Sequence, residues 1–245
     1  MQLAKHGEEW EEMAGLDPLW AILSAPDRQF NRWDYDAFLL TGAQEVDALM
    51  TEARSLGRPA QWNRALDFGC GVGRLTRALR RHFPECHGVD ISARMVCKAR
   101  EIAPDCIFHV NTTSNLKDFD DSYFDFVYSM IVLQHQPNRS VVLNYIGEFL
   151  RILAKDGLLV FQLPSYLPLR TRVQARRRLY TLLHSMGWKS DLLYRRLKLA
   201  PIRMLGMPEK DVVSAITRHG GKVIEVHSDK HAGQAIQSKT YYVSR

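Results

Sequence analysis

The spacing of apolar residues along the chain predicts alternating strands and helices. Short apolar runs predict strands at RALDF, CHGVDI, CIFHVN, FDFVYSM and GLLVFQL, and three-and-four spacing predicts helices at GRLTRALRRHF, SARMVCKAREI and RSVVLNYIGEFLRIL. Strands joined by helices need right-handed crossover connections, which predict a parallel sheet covered on both faces. The last strands, KVIEVH and KTYYVSR, have no helix between them and are expected to form an antiparallel hairpin after the helix DVVSAITRHG.

Two segments do not follow this alternation. Residues 1–40 are rich in Trp, Asp and Pro without a clean period, and we expect an irregular or short-helical arm that closes one side of a pocket. A helix is then predicted from an N-cap at Thr41 to a stop at Gly57. Residues 165–209 exceed the roughly 2–6 residues of an ordinary strand-to-helix connection, so they are expected to form a helical insertion. The predicted organisation is an arm, residues 1–40, and a domain, residues 41–245, that contains the insertion.

Charge is concentrated in that insertion. From Arg170 to Arg203 there are ten Lys or Arg and one acid, Asp191, a local charge of +9 that leaves −3 for the rest of a chain whose net charge is +6. A local basic segment predicts a local function, such as binding an anionic acceptor, a nucleic-acid backbone or a membrane surface. The alternative is a helical lid with a solvated basic face.

The remaining composition is that of an ordinary globular domain, with 46% hydrophobic and 24% charged residues. No apolar run approaches the roughly 20 residues of a spanning helix, and acidic residues near the N-terminus argue against a secretory signal. We therefore expect a cytoplasmic protein, with peripheral attachment to a membrane surface left open. The four cysteines have no metal-ligand spacing, and no metal is expected.

Three glycines at every second position, in LDFGCGVGRLT, predict a strand-to-helix turn that a ligand approaches closely. A phosphate-binding P-loop would end in Gly-Lys-Ser/Thr, but here Gly73 is followed by Arg74 and Leu75. A dinucleotide site needs a small residue three positions after Gly71, where this chain has Arg74. The loop therefore favours a nucleoside cofactor without a phosphate at this position.

The same stretch resembles the first motif of the class I S-adenosylmethionine-dependent methyltransferases. The resemblance continues in order through HGVDISARM, DSYFDFVYSMIVLQH and EFLRILAKDGLLVFQLPS, and covers about residues 41–165, with a looser likeness in the final helix-strand-strand unit. It implies a Rossmann-like α/β fold with a mostly parallel seven-stranded sheet in the order 3-2-1-4-5-7-6. It also implies S-adenosylmethionine as the cofactor.

The resemblance assigns roles to single residues. Asp67 corresponds to the acid near the cofactor ammonium, with a turn or helix-capping role as the alternative, and Asp90 to the acid that accepts both ribose hydroxyls. Asn111 stands where the family more often has Asp. The cofactor-binding residues implied in this way are Asp67, Gly69, Gly71, Gly73, Asp90, Ile91, Met95, Asn111 and Ser129, although core packing would also account for Ile91 and Met95.

The acceptor is expected above the carboxyl ends of the fourth and fifth strands. His135 is the candidate general base, with a structural role as the alternative, and Gln134 and Gln162 are candidates for orienting the acceptor. Arg176 and Arg177 are candidate acceptor contacts in the insertion.

Motifs of amino-directed nucleic-acid enzymes and of cytosine C5 enzymes are absent from the sequence. We therefore expect methylation of an oxygen or nitrogen on a small-molecule or glycan-type acceptor, with anionic and lipid-linked acceptors included. The alternatives are an RNA methyltransferase, suggested by the basic insertion, and a non-catalytic protein that binds S-adenosylmethionine.

Overall fold

A computed structural model describes residues 2–245, in which seven strands form one sheet in the order β3-β2-β1-β4-β5-β7-β6. The strands are β1 (Arg64–Phe68), β2 (Glu85–Asp90), β3 (Ile107–Val110), β4 (Phe124–Ser129), β5 (Leu153–Tyr166), β6 (Lys222–Asp229) and β7 (Gln237–Ser244). Neighbouring strands pair in parallel from β3 through β2, β1 and β4 to β5. Strand β7 pairs antiparallel with both β5 and β6. The predicted sheet order and terminal hairpin are confirmed.

Ten α-helices lie within the described residues. They are α1 (Gln2–Leu16), α2 (Pro18–Ile22), α3 (Tyr35–Ser55), α4 (Arg74–Leu79), α5 (Ala93–Ile102), α6 (Arg139–Ile152), α7 (Leu169–Val173), α8 (Ala175–Ser185), α9 (Ser190–Arg195) and α10 (Glu209–Arg218). Short 3-10 turns occupy Pro26–Arg28 and Leu133–His135. No helix within residues 2–245 combines the length and apolarity needed to cross a bilayer.

Alternating side chains of the strands fill two cores, one on each face of the sheet. On β4, Val127 packs with α6 and α10, while Phe126 packs with α3, α4 and α5. Leu159 and Val160 of β5 divide between the two faces in the same way. Both faces of the sheet are therefore covered, so the ligand site is confined to an end of the strands.

The arm is more helical than its sequence indicated, and the helix predicted from Thr41 begins earlier. Asp34 is the N-cap of α3 and accepts a hydrogen bond from the Ala37 backbone N–H at 2.8 Å. Thr41 lies inside the helix, where its hydroxyl donates to the Phe38 carbonyl. The predicted N-cap at Thr41 is wrong, because a helical threonine can bond its own helix backbone and needs no terminus.

A buried carboxylate joins the arm to the insertion. Asp17 is fully buried and accepts hydrogen bonds from the backbone N–H groups of Phe30 and Asn31, at 2.6 and 2.9 Å. The Tyr194 hydroxyl of α9 donates to the same carboxylate at 2.7 Å. Phe30 and Asn31 have positive φ angles of 70° and 58°, which turn both N–H groups toward Asp17. Asp17 thus links the arm to α9 of the insertion.

Candidate functional site

A cavity lies at the carboxyl ends of β1, β2 and β4, under the arm. The space between protein atoms here, counted together with the open solvent at the mouth, is about 770 Å³. Its lining includes six of the nine residues predicted to bind a cofactor, namely Gly69, Gly71, Asp90, Ile91, Met95 and Asn111. The carboxyl edge of a parallel sheet is where such folds bind ligands, because the loops there diverge.

The glycine loop between β1 and α4 follows the cavity wall in a left-handed backbone conformation. Gly69 and Gly71 have φ angles of +80° and +53°. A Cβ atom on Gly69 would lie 2.2 Å from Val132 Cγ2, and one on Gly71 would lie 2.5 Å from Ile22 Cδ1. Only glycine satisfies both the dihedral angle and the space at these positions.

Gly73 has a different role. It is the N-cap of α4, with a φ of +82°, and a Cβ there would lie 3.2 Å from Ala99 Cβ and 3.1 Å from the Phe108 ring. It is not part of the cavity lining. The third glycine therefore allows α4 to start close to α5 and β3.

Asp90 at the end of β2 holds the glycine loop. One of its carboxylate oxygens accepts from the Gly71 N–H and the other from the Ser92 N–H, each at 2.9 Å. Burial raises the pKa of Asp90, while these backbone donors oppose that rise. Asp90 lines the cavity, and an ionised carboxylate has about four acceptor positions, so it keeps acceptor capacity for a ligand hydroxyl beyond these backbone bonds.

Asn111 lines the cavity, but local contacts already use its amide. Its Oδ1 accepts from the backbone N–H and the hydroxyl of Thr113, and its Nδ2 donates to the Asn115 carbonyl at 2.8 Å. Asn111 therefore shapes the loop after β3. Ile91 and Met95 also line the cavity with apolar side chains.

Asp67 and Ser129, two predicted cofactor residues, do not belong to the cavity lining. Asp67 is 1% exposed and accepts from the Thr76 hydroxyl at 2.6 Å, and burial raises its pKa to about 7. This contact fastens the end of β1 to the first turn of α4, which is close to the alternative role of a helix-capping carboxylate. Ser129 is fully buried, and its Oγ has no hydrogen-bond partner among the described residues.

The carboxyl end of β4 turns sharply into the cavity. Ile131 lines it with a φ of +59°, which is an outlier for a β-branched residue. Such strain concentrates at functional sites, where the surrounding structure maintains it. Met130 and Val132 flank Ile131 in the same wall.

His135 reaches the cavity from the 3-10 turn after β4. Its Nδ1 donates to the Arg203 carbonyl at 2.5 Å, since a carbonyl only accepts, and its Nε2 lies 3.2 Å from the Gln134 amide nitrogen. Burial lowers the pKa of His135 to about 4. The imidazole is therefore neutral at neutral pH, with its proton on Nδ1.

The arm supplies residues that the sequence interpretation missed. His6 and Trp10 of α1 line the cavity together with Ala21 and Ile22. The Trp10 ring meets the His135 ring edge-on, with the centroids 5.5 Å apart. Nδ1 of His6 is buried without a partner among residues 2–245, and burial, followed by the nearby cationic groups of Arg203 and Arg177, lowers its pKa to about 3. A spacing of three and four residues through His6, Trp10 and Met13 was the available signal.

The two predicted acceptor glutamines are buried and do not belong to the cavity lining. Gln162 of β5 is fully buried, and both atoms of its amide lack partners among the described residues. Gln134 is 2% exposed, and its Oε1 is also unpartnered. Unpaired buried amides are destabilising, so this end of the sheet is suited to receive a polar group.

The two predicted acceptor arginines of the insertion lie outside the cavity lining. Arg177 forms an ion pair with Glu9 of α1 at 2.5 Å and donates to the Pro201 carbonyl. Arg176 is exposed, and its guanidinium donates to the Lys198 carbonyl. Arg203 lies 3.7 Å from the same Glu9. Contact with the arm, rather than with the cavity, is the visible role of Arg177.

Replacing Glu9 by alanine is expected to lower the free energy of unfolding by about 1–3 kcal/mol, because the partly buried guanidinium groups lose their carboxylate. The Arg177 and Glu9 side chains are only 18% and 12% exposed. Urea denaturation measures the effect, and the exposed neighbour Glu8→Ala is the matched control. Equal stability of the two variants would contradict this role of Glu9.

His135→Gln is expected to change how stability depends on pH. The unfolded chain binds a proton on His135 below about pH 6.5, whereas the folded imidazole resists protonation until about pH 4. Folding thus loses stability through this group as the pH falls through that window. Between pH 7 and pH 4.5, the free energy of unfolding should therefore fall by about 2 kcal/mol less in His135→Gln than in the wild type. Urea denaturation of the wild type and the variant at both pH values measures this difference, and His231→Gln, at an exposed histidine, is the control. An equal loss of stability in the wild type and in His135→Gln would contradict the effect of burial.

Comparison with known proteins identifies relatives over the core of the chain. Residues 66–161 match a family described as a methyltransferase domain. A 2-methyl-6-phytyl-1,4-hydroquinone methyltransferase of Synechocystis is 33% identical over 99 residues, which is 39% of this chain and 30% of that protein. A trans-aconitate 2-methyltransferase of Deinococcus radiodurans is 32% identical over 126 residues, covering 50% of this chain and 43% of the relative. The chain thus matches less than half the length of these curated relatives.

Solved structures share the fold over most of the chain. A magnesium protoporphyrin IX methyltransferase from Synechocystis with bound S-adenosylhomocysteine gives a TM-score of 0.57 at 18% identity, covering 89% of this chain and 90% of that one. An S-adenosylmethionine-dependent methyltransferase from Clostridium acetobutylicum gives a TM-score of 0.59 at 15% identity, with 89% and 95% coverage. At these identities the likeness establishes the arrangement of strands and helices.

Proposed function

We propose that this chain, which carries a class I S-adenosylmethionine-dependent methyltransferase domain, transfers a methyl group from that cofactor to an oxygen or nitrogen of a small-molecule or glycan-type acceptor. The observation that carries the proposal is the contact between Asp90 and the glycine loop. Asp90 accepts from the Gly71 N–H at 2.9 Å and lines the cavity, where a Cβ on Gly69 or Gly71 would overlap the lining residues Val132 or Ile22.

Different lining residues suit different parts of the cofactor. Asp90 is suited to accept both ribose hydroxyls, and Ile91 and Met95 offer an apolar surface to adenine. The backbone of Gly69 and Gly71 allows close approach of the methionine portion. Asp67 supports this arrangement from behind, through its hydrogen bond to Thr76. When bound, S-adenosylmethionine supplies a methyl group on a sulfonium, which already is an activated leaving group.

The acceptor side is formed by neutral, hydrogen-bonding groups. His6 and His135 line it with pKa values lowered to about 3 and 4, mainly by burial. A general base works best with a pKa near the operating pH, so neither imidazole is tuned to remove a proton at neutral pH. Both ring nitrogens of His135 already have partners in Arg203 and Gln134, whereas Nδ1 of His6 has none among the described residues, so we assign the orientation of the acceptor to His6. An acceptor atom with its own available lone pair, such as a carboxylate oxygen, suits this site best.

Three relatives of different chemistry support a small-molecule acceptor, since their names state a hydroquinone, trans-aconitate and tocopherol. The carboxylates of trans-aconitate agree with a site that lacks a tuned base. Alignment of acceptor and methyl group is then the main contribution of the protein.

The test is incubation of the full chain with methyl-labelled S-adenosylmethionine and separated fractions of a cell extract. Label is expected in the small-molecule or glycan fraction, and Asp90→Ala should lower it strongly at a limiting cofactor concentration. Label confined to RNA would contradict the acceptor class. Cofactor binding without transfer to any fraction would contradict the enzymatic activity.

A further inference from the structure

The insertion exposes an unusual amount of apolar surface. Nine of the thirteen large hydrophobic residues that are exposed within residues 2–245 fall between Tyr166 and Leu197. They are Tyr166, Leu169, Val173, Leu179, Leu182, Met186, Trp188, Leu192 and Leu197. Single exposed apolar residues are ordinary, but a concentration of this size in one segment marks an interaction surface.

Helix α8 presents part of this surface as one stripe. Leu179, Leu182 and Met186 are separated by three and four residues and are 46%, 58% and 67% exposed. The inward side of α8 is already satisfied, because Tyr180 packs with Leu193 of α9 in a separate small core. The exposed side chains of Leu179, Leu182 and Met186 therefore do not take part in the packing of this small core.

Basic side chains accompany the exposed apolar residues. Besides Arg177, which pairs with Glu9, and Arg195, which pairs with Asp191, seven Lys or Arg residues from 170 to 198 have no carboxylate within 4.0 Å among the described residues. These are Arg170, Arg172, Arg176, Arg178, Lys189, Arg196 and Lys198.

Four arginines also line an open cleft at the base of the insertion. Arg172, Arg177, Arg178 and Arg203 surround this cleft, and no acidic residue belongs to its lining. Glu9 already pairs with Arg177 and Arg203, so the unpaired positive charge of the cleft comes from Arg172 and Arg178, which an anionic group would complement.

We infer that the surface of residues 166–198, named here the insertion face, docks on a membrane that contains anionic lipids. Aliphatic residues and Trp188 would enter the interface while arginines meet the phosphate headgroups, a combination typical of interfacial helices. A second copy of the chain would bring an equal positive charge to the same face. Single-stranded RNA would favour stacked aromatic rings, whereas only Tyr166 and Trp188 among the nine exposed residues carry an aromatic ring.

The insertion face would then lie near the proposed site, because residues 203–205, which follow it in the chain, contact the turn that carries His135. The Leu205 N–H donates to the Gln134 carbonyl at 2.7 Å, and the Arg203 carbonyl accepts from His135. The inference concerns membrane attachment and does not rest on methyl transfer.

The test is sedimentation of the full chain with vesicles of phosphatidylcholine alone or mixed with phosphatidylglycerol. Binding is expected to the mixed vesicles only, to weaken with salt, and to fall at least tenfold in Leu182→Ser/Met186→Ser. Leu40→Ser, at a residue 57% exposed on α3, is the matched control and should bind as wild type. Arg172→Gln/Arg178→Gln should weaken binding to the mixed vesicles while leaving the apolar stripe intact.

Four results would overturn the inference: no binding to the mixed vesicles, wild-type binding by the serine variant, wild-type binding by the glutamine variant, or displacement from vesicles by polyuridylate. Trp188→Phe gives a second readout, since the fluorescence blue shift of the wild type on vesicles should disappear with it. Titration with S-adenosylhomocysteine runs in parallel: unchanged affinity in these variants shows that the fold is intact and separates a failure of docking from a failure of the proposed site.

Discussion

Asp90→Ala is expected to weaken the binding of S-adenosylhomocysteine more than tenfold, a loss of about 1.4 kcal/mol or more. Two effects add. The alanine removes the acceptors proposed for the ribose hydroxyls, and it also leaves the N–H groups of Gly71 and Ser92 without their carboxylate. Isothermal titration calorimetry measures the affinity.

Asp90→Asn separates these effects, because the amide keeps only one acceptor oxygen and should give an intermediate loss. Asp118→Ala, at an exposed acid outside the cavity lining, should bind as the wild type does. If Asp90→Ala binds with wild-type affinity, the ribose role of Asp90 is wrong.

Gly69→Ala is expected to abolish measurable cofactor binding and to lower the free energy of unfolding by about 1–3 kcal/mol. The added methyl group would lie 2.2 Å from Val132 Cγ2, in a residue whose φ is +80°. Either the loop or Val132 must move, and both line the cavity. Urea denaturation and calorimetric titration measure the two effects.

Gly57→Ala is the matched control. Gly57 has a φ of +63°, yet no atom lies within 4 Å of its would-be Cβ, so the variant reproduces the backbone strain without the overlap. Val132→Ala in the Gly69→Ala background should recover part of the lost stability, because it removes two of the three overlapping carbons. Equal losses in Gly57→Ala and Gly69→Ala would show that dihedral strain, rather than space, limits this position.

The sheet was predictable because its signals are local. Strand and helix periods predicted the parallel sheet and the terminal hairpin, and the resemblance to the methyltransferase family implied the strand order that the structure shows. Residues at the carboxyl ends of adjacent parallel strands must lie near each other, which is why Gly71 and Asp90 were expected at one edge of the sheet.

The arm was less predictable because its partners are distant in sequence. Glu9 and Glu12 of α1 form hydrogen bonds with Arg177 and Tyr180, and each pair is 168 residues apart in sequence. From the sequence, the acids of the arm and the basic charge of the insertion looked unrelated. In the structure they face each other, so the arginines first interpreted as acceptor contacts include one that holds the arm.

Asp67 illustrates a limit of reasoning from motifs. Its position in the motif implies contact with a cofactor, but the direction of its side chain depends on Thr76, nine residues later. A hydroxyl at that position draws the carboxylate toward α4 and into the core. The sequence contains both residues but does not show their contact.

Titration of the full chain with S-adenosylhomocysteine tests the central claim most directly, because it asks whether the cavity at the ends of β1 and β2 is a cofactor site. We predict saturable binding of one molecule per chain, in the micromolar range, that is lost in Gly69→Ala and weakened in Asp90→Ala while Gly57→Ala retains it. Absence of saturable binding by the folded wild-type chain would contradict the claim.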